Sequence, residues 1–199
     1  MTNNTSHQML SQAFPFSKKG QNAVALIFVI ILLSILSSCK PDNVQDGSKP
    51  KYYDIAGYFK AEIAKQRKLN HPTLKSVTHN GSTETKKVHI DDWALELALF
   101  VQSDINKPAW RDSYSVQSGI DGSIVYTAKE PELRTREIVI TRNKNNSIKW
   151  IMIFNESKNR LYQTDETLTY RPDSLYTIKK QQHVSFLGTN NYFIKGSLN

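Results

Sequence analysis

Four histidines beyond residue 50 are the first candidates for metal binding: His71, His79, His89 and His183. A metal site needs two or three such ligands brought together, and none of the four lies at helical spacing from another. A hairpin with its turn at residues 80–83 would place His89 opposite Leu74 and not opposite His79. We therefore predict surface histidines, with no metal and no cofactor.

Two adjacent pairs of acids are the candidates for general acid and base catalysis, namely Asp165 with Glu166 and Asp91 with Asp92. Neighbours on a strand point to opposite faces, so the first pair cannot meet in one pocket, and the second pair suits a helix N-terminus. No Gly-x-Ser-x-Gly motif or Gly-rich phosphate loop occurs. We predict no catalytic residue and a non-enzymatic binding or interaction module; a carboxylate-dependent hydrolase of envelope or dietary glycans is the alternative.

The non-periodic segment 106–114 is the candidate ligand-binding loop, because Trp110, Arg111 and Tyr114 could bind a sugar ring or an anion. The competing interpretation, which we favour, is a connector whose aromatic residues seal the core. Tyrosines of the later strands could likewise line a concave face for apolar or glycan ligands: Tyr126, Tyr162, Tyr170, Tyr176 and Tyr192. Half-buried strands also carry tyrosines without such a purpose.

The N-terminal segment has the order of an export signal, since Lys18 and Lys19 precede an apolar run over residues 23–36. This run of about 14 residues spans roughly 21 Å as a helix, which is short of a hydrocarbon core about 30 Å thick. It leads into a sequence that resembles the lipobox of bacterial lipoproteins, with one branched apolar residue, two small residues and a cysteine: Leu36, Ser37, Ser38 and Cys39.

The lipobox resemblance implies that Leu36, Ser37 and Ser38 are recognised by the lipoprotein signal peptidase, which cuts before Cys39. The Cys39 sulfur then carries a diacylglyceryl group, and two or three acyl chains anchor the protein firmly to a membrane. The next residue is Lys40 and not Asp, which by the same resemblance implies sorting to the outer membrane. Whether the domain faces the periplasm or the exterior stays open at this point.

Composition fits one basic domain. Of the 199 residues, 26 are Lys or Arg and 18 are Asp or Glu, and only Lys18 and Lys19 precede Cys39, so the mature chain keeps 24 cations and a net charge of +6. The cations are scattered, without the stripe typical of nucleic-acid binders, so we exclude nucleic acid as a partner. The lone cysteine excludes an internal disulfide.

The mature chain begins with a Pro- and Gly-containing tether over residues 39–51 and continues as one domain over residues 52–199. Apolar residues at spacing four predict a helix over 54–68 with Asp54 as N-cap. Asn80 and Gly81 predict a hairpin over 74–90. A second helix follows, capped by Asp91 and Asp92, with Leu95 and Leu99 broadening its apolar face.

From residue 114 the pattern changes to period two, which predicts antiparallel strands over 123–128, 135–142, 148–155, 161–170, 175–187 and 192–198. Residues 143–146, 156–159, 172–173 and 188–191 are the predicted turns. The fold class is α+β, with a curved sheet or partial barrel packed on the helices. This order, with the phrase 104–112, resembles uncharacterised outer-membrane lipoproteins over most of residues 52–198, a resemblance that implies location and anchoring by lipid but no activity.

Overall fold

The structure is a computed structural model that describes residues 50–198. The predicted signal peptide, Cys39 and most of the tether lie outside these residues. Helix α1 spans Ile55–Leu69, with Ile55, Phe59 and Ile63 buried on one face. The Asp54 carboxylate accepts a hydrogen bond from the Gly57 amide at 2.7 Å and so caps the helix, as predicted.

Strands β1 (Thr73–His79) and β2 (Ser82–Val88) are joined by a two-residue turn, Asn80 and Gly81, with φ of 48° and 89°. This is the turn geometry that Asn-Gly favours, because both residues tolerate positive φ. Leu74 therefore pairs with Lys87. The predicted four-residue turn was wrong, and the register differs by two residues from the expected one.

The second predicted helix is interrupted. Helix α2 (Trp93–Glu96) and helix α3 (Ala98–Gln102) are separated at Leu97, which has non-helical backbone angles. The Asp92 carboxylate caps α2 by accepting from the amides of Ala94 and Leu95. The side chain of Leu95 is 75% exposed, contrary to the prediction that it broadens the buried face.

A seven-stranded meander follows a short 3-10 turn at Pro108–Trp110. Its strands are β3 (Tyr114–Ser118), β4 (Ile124–Ala128), β5 (Thr135–Arg142), β6 (Ile148–Lys158), β7 (Tyr162–Arg171), β8 (Leu175–Val184) and β9 (Gly188–Ser197). Two turns differ from the predicted positions, since β6 continues through Lys158 and β8 ends at Val184. Residues 159–161 and 185–187 form the turns instead.

All nine strands form one open antiparallel sheet in the order β2-β1-β9-β8-β7-β6-β5-β4-β3. The predicted α+β class with an antiparallel sheet is confirmed. Because β9 lies between β8 and β1, the N-terminal hairpin extends the C-terminal end of the meander. Strands β2 and β3 are the two edges.

The core lies between the helices and one face of the sheet, which we call the inner face. Rings from both layers are in contact, with centroids of Phe59 and Phe100 5.1 Å and 6.1 Å from that of Tyr170. Ile138, Ile151 and Ile153 are fully buried beneath them. Within residues 50–198, no helix has the length and apolar character needed to cross a membrane.

Candidate functional site

The inner face of the sheet is longer than the helices that cover it, and an open groove lies beside them. Register places Glu166, Lys180, Tyr192 and His79 in one row across β7, β8, β9 and β1, and cross-strand partners share a face. Residues of α2 and α3 reach toward the same strands. The groove between them has a volume of about 450 Å³.

The groove has mostly apolar walls with charged residues among them. Its aliphatic side chains come from both layers: Leu95, Leu99, Ile178 and Ile194. Tyr192 adds an aromatic side chain, and Lys75, Glu96, Lys180 and Gln182 supply the polar groups. Binding sites for small molecules have this composition, with apolar walls and a few placed polar groups, and lie in this volume range.

Glu96 lines the groove and has two side-chain partners. Its carboxylate accepts a hydrogen bond from the Tyr176 hydroxyl at 2.5 Å and forms an ion pair with the Lys75 ammonium at 2.7 Å. Burial, together with this hydrogen bond to the carboxylate, raises the pKa of Tyr176 far above its ordinary value. The phenol therefore stays protonated and donates to Glu96.

Gly196 makes room for the Tyr176 ring. A Cβ atom at position 196 would lie 2.1 Å from the ring carbon Cε1 of Tyr176. Only glycine leaves room for the ring at this point. The position of the Tyr176 hydroxyl, which contacts Glu96, thus depends on the absence of a side chain at Gly196 on the neighbouring strand.

A second buried carboxylate, Glu166, lies on the inner face of β7 and is only 6% exposed. Its oxygens contact the Arg134 guanidinium at 2.6 Å and the Lys180 ammonium at 3.5 Å. The Asn155 amide is 3.4 Å from the same carboxylate and donates to the Ser103 hydroxyl at 2.9 Å. This network joins the sheet to the end of α3 and holds Lys180 at the wall of the groove.

Of the three predicted ligand-binding residues, two reach the surface. Tyr114 is buried, and its hydroxyl donates to the Thr135 carbonyl at 2.9 Å. Trp110 packs against the core with the Lys107 ammonium 3.9 Å from its ring centre. Arg111 is exposed, and its carbonyl accepts a hydrogen bond from the Tyr52 hydroxyl at 2.6 Å.

The predicted catalytic candidates lie apart. Glu166 is buried on the inner face while its neighbour Asp165 is exposed on the opposite, outer face, as strand geometry requires. Asp92 caps α2 and pairs with Arg67. Among residues 50–198, no group of three His, Cys, Asp or Glu side chains is arranged to hold a metal ion.

His71, His79, His89 and His183 are all exposed, whereas the tyrosines divide between core and surface. The His79 ring stacks on Tyr192 at 4.5 Å with 7° between the planes, at one end of the inner-face row. His183 contacts Thr189 on the outer face. Tyr126, Tyr170 and Tyr176 are buried, whereas Tyr162 is exposed, so Tyr192 is the predicted tyrosine that lines the groove.

Sequence reasoning missed the charged residues of the groove. Lys75, Glu96 and Lys180 lie in three separate segments, and only the insertion of β9 between β8 and β1 brings them together. Leu95 did not signal the groove, because a large apolar residue beside the buried helix face is expected to belong to that face. Leu36, Ser37, Ser38 and Cys39 lie outside the described residues.

Comparison of the chain with protein-family models, with curated proteins and with solved structures finds no match in any of the three.

Proposed function

We propose that this protein is a cell-envelope lipoprotein, anchored by lipid on Cys39 in the outer membrane, whose domain is a non-enzymatic binding module for an amphiphilic envelope molecule. The groove beside α2 and α3 carries this proposal. Four aliphatic side chains line the groove together with Lys180, and they suit an acyl chain or a similar apolar group of a ligand. We also infer that the sheet curves round the helices as a partial barrel, which would deepen the groove.

The polar groups of the groove favour an anionic headgroup. The Lys180 ammonium lies 3.5 Å from a Glu166 carboxylate whose other oxygen is engaged at 2.6 Å by Arg134. Lys180 therefore keeps hydrogen-bond donors for a phosphate or carboxylate of the ligand. The groove suits a glycan without an apolar group less well than an amphiphile. Tyr192, the one aromatic side chain among its lining residues, is already stacked on His79.

A hydrolase has weaker support than a binding module. The Glu96 carboxylate is engaged by a lysine and a tyrosine, and the Glu166 carboxylate by an arginine and a lysine. Two carboxylates held by cations in this way suit the positioning of side chains better than proton transfer to a substrate.

Anchoring is tested by following the mass of the protein in its own host. With Cys39→Ser, or in the presence of globomycin, we expect the precursor to accumulate and the lipid-bearing mature form to be lost. Unchanged processing under both treatments would contradict the lipoprotein assignment.

Binding is tested by native mass spectrometry of the protein extracted from its own envelope. We expect a bound amphiphile on the unaltered protein and its loss in Leu95→Arg, which places a charge in the groove at an exposed position. Leu74→Arg is the matched control, because Leu74 is also exposed but lies on β1 outside the groove. Absence of any bound molecule, or equal retention in both variants, would refute the groove as the binding site.

A further inference from the structure

Two adjacent turns at one end of the sheet expose four large apolar side chains, which we call the tip: Leu161, Tyr162, Phe186 and Leu187. Their exposed fractions are 67%, 40%, 104% and 81%. The Ser185 amide donates to the Leu161 carbonyl at 2.8 Å, so the two turns are joined. Tyr162 also pairs in register with Val184, next to the second turn. The tip is therefore one surface and not two separate loops.

The second turn holds its phenylalanine in an unfavourable backbone conformation. Phe186 has φ of 70°, in the left-handed region where bulky residues are rare and Gly or Asn is usual. A fully exposed aromatic residue at such a position adds nothing to the core. Residues kept under strain in this way are frequent at functional sites.

The charged residues of the two turn segments are all positive. Lys158 and Arg160 both precede Leu161 in the first turn and are exposed, and within residues 50–198 neither side chain has an ion-pair or hydrogen-bond partner. Segments 157–164 and 182–190 contain no Asp or Glu. Apolar side chains beside two cations that have no acidic partner match the interface of an anionic bilayer, where rings and aliphatic groups enter the headgroup region and cations meet phosphates.

The tip and the point where the chain enters the domain lie at the same end of the sheet. Antiparallel pairing places the start of β3, the end of β6, the start of β7 and the end of β8 at one end. Tyr52 contacts the start of β3 through its hydroxyl, 3.4 Å from the Tyr114 carbonyl. The eleven residues that follow Cys39 can reach at most ~40 Å, so the anchor and the tip can meet the same membrane.

We propose that the tip inserts into the interfacial layer of an anionic lipid surface and holds the domain against it. The proposal rests on the proposed function for its setting, because the lipid anchor on Cys39 brings the domain to the membrane. It adds a second membrane contact made by the folded domain itself. That contact would turn the end of the sheet that carries the tip toward the bilayer.

The test uses the mature lipoprotein reconstituted in vesicles, with an environment-sensitive fluorophore on a thiol introduced by Leu187→Cys. The chain has one natural cysteine, Cys39, whose sulfur is blocked by lipid in the proposed mature form. Lys144→Cys is the matched control, because Lys144 is exposed in the β5–β6 turn at the opposite end of the sheet. Vesicles of phosphatidylglycerol are compared with vesicles of phosphatidylcholine.

On phosphatidylglycerol we expect the label at position 187 to shift to the blue and to be quenched by lipids that carry a quencher in the headgroup region. We expect a smaller shift on phosphatidylcholine, and water-like emission at position 144 on both. Exchange of Lys158 and Arg160 for Glu should abolish the difference between the two lipids. Water-like emission at position 187 on phosphatidylglycerol overturns the proposal.

Two further outcomes are distinct from that result. A blue shift that grows with protein density and is insensitive to the lipid quencher would assign the tip to contact with a second copy, and would also overturn the proposal. An intact mass without lipid on Cys39 would refute the anchoring alone. The tip is then measured on the same labelled protein, carrying Cys39→Ser and added to the same vesicles, with the same expected results.

Discussion

The contact between Gly196, Tyr176 and Glu96 shows how one residue type positions a polar group in this protein. The ring occupies the space that a Cβ atom at 196 would take, and its hydroxyl donates to a carboxylate of the groove. Buried phenols need such a partner, because an unpaired hydroxyl in the core is costly. The geometry of the groove therefore depends on side chains that a ligand would not touch.

We expect Gly196→Ala to lower the free energy of unfolding by about 1–3 kcal/mol, because the added methyl group overlaps the Tyr176 ring and the core must shift to accept it. Urea unfolding followed by circular dichroism measures the loss. Lys195→Ala, at the neighbouring exposed position, is the control and should change stability by less than about 0.5 kcal/mol. Equal stability of the two variants would contradict the overlap.

We expect Glu166→Gln to cost about 1–3 kcal/mol of stability, because the Arg134 and Lys180 cations lose the charged partner between them while the side-chain volume is kept. Both cations are partly exposed, so solvent screens their charges and we expect a loss of stability near the lower end of this range. Asp165→Asn, on the outer face of the same strand, should be near neutral. The two variants are compared by urea unfolding at low and high salt.

At the scale of elements, alternation of apolar and polar residues predicted six of the seven strands of the meander and missed β3, which has only two apolar residues. All six predicted strands were found, because period two directly reports which side chains face the core. The positions of the turns were predicted less accurately than the strands. Residues 188–191 have turn-like composition, but Asn191 pairs through its backbone and through the Asn80 carboxamide with the β1–β2 turn, and that contact draws the segment into β9.

The interruption between α2 and α3 had no marker in the sequence, since segment 93–102 contains neither Gly nor Pro. It leaves Trp93, Leu97 and Phe100 buried while Leu95 points outward to the groove. From the sequence pattern alone, an apolar residue next to the buried face of a helix is assigned to that face, and only the packing shows otherwise. The groove could not be predicted for the same reason, because its walls come from distant segments.

Strand β5 carries a buried hydroxyl that offers a gain in stability. The Thr141 Oγ1 atom is buried and, alone among the buried side-chain polar atoms of residues 50–198, has no hydrogen-bond partner. We expect Thr141→Val to raise the free energy of unfolding by about 1 kcal/mol, because the β-branched shape is kept and an unpaired polar group is removed. Thr167→Val, at a half-exposed position on β7, should give no comparable gain. Thermal melting of both variants checks this.

At the scale of the whole molecule, buried tyrosines make the free energy of unfolding depend on pH in the alkaline range. Burial raises the pKa of Tyr114 to about 12 from 10.0, and burial with neighbouring carboxylates raises the pKa values of Tyr170 and Tyr176 further. Folding thus favours the protonated phenols. Their contribution is fully present below pH 10 and is lost as the pH rises from about 10 toward the folded values.

We therefore expect cooperative unfolding above about pH 10, with tyrosinate absorbance and loss of circular dichroism rising together. Tyr114→Phe should make the dependence on pH shallower, because one linked proton is removed. Ionisation of the buried phenols in a chain that keeps its full circular dichroism would refute the linkage. Titration of both proteins at constant salt distinguishes the two results.

The place of β9 between β8 and β1 has a consequence for how the chain acquires its structure. His79 and Asn190, which meet across this junction, are 111 positions apart in the sequence. Strand β1 cannot pair with β9 until β9, the last strand of ten residues, has been synthesised. The sheet therefore cannot be completed while the chain is still being made. Such non-local pairing is slow, commonly milliseconds to seconds, so the complete sheet forms only after the whole chain is available.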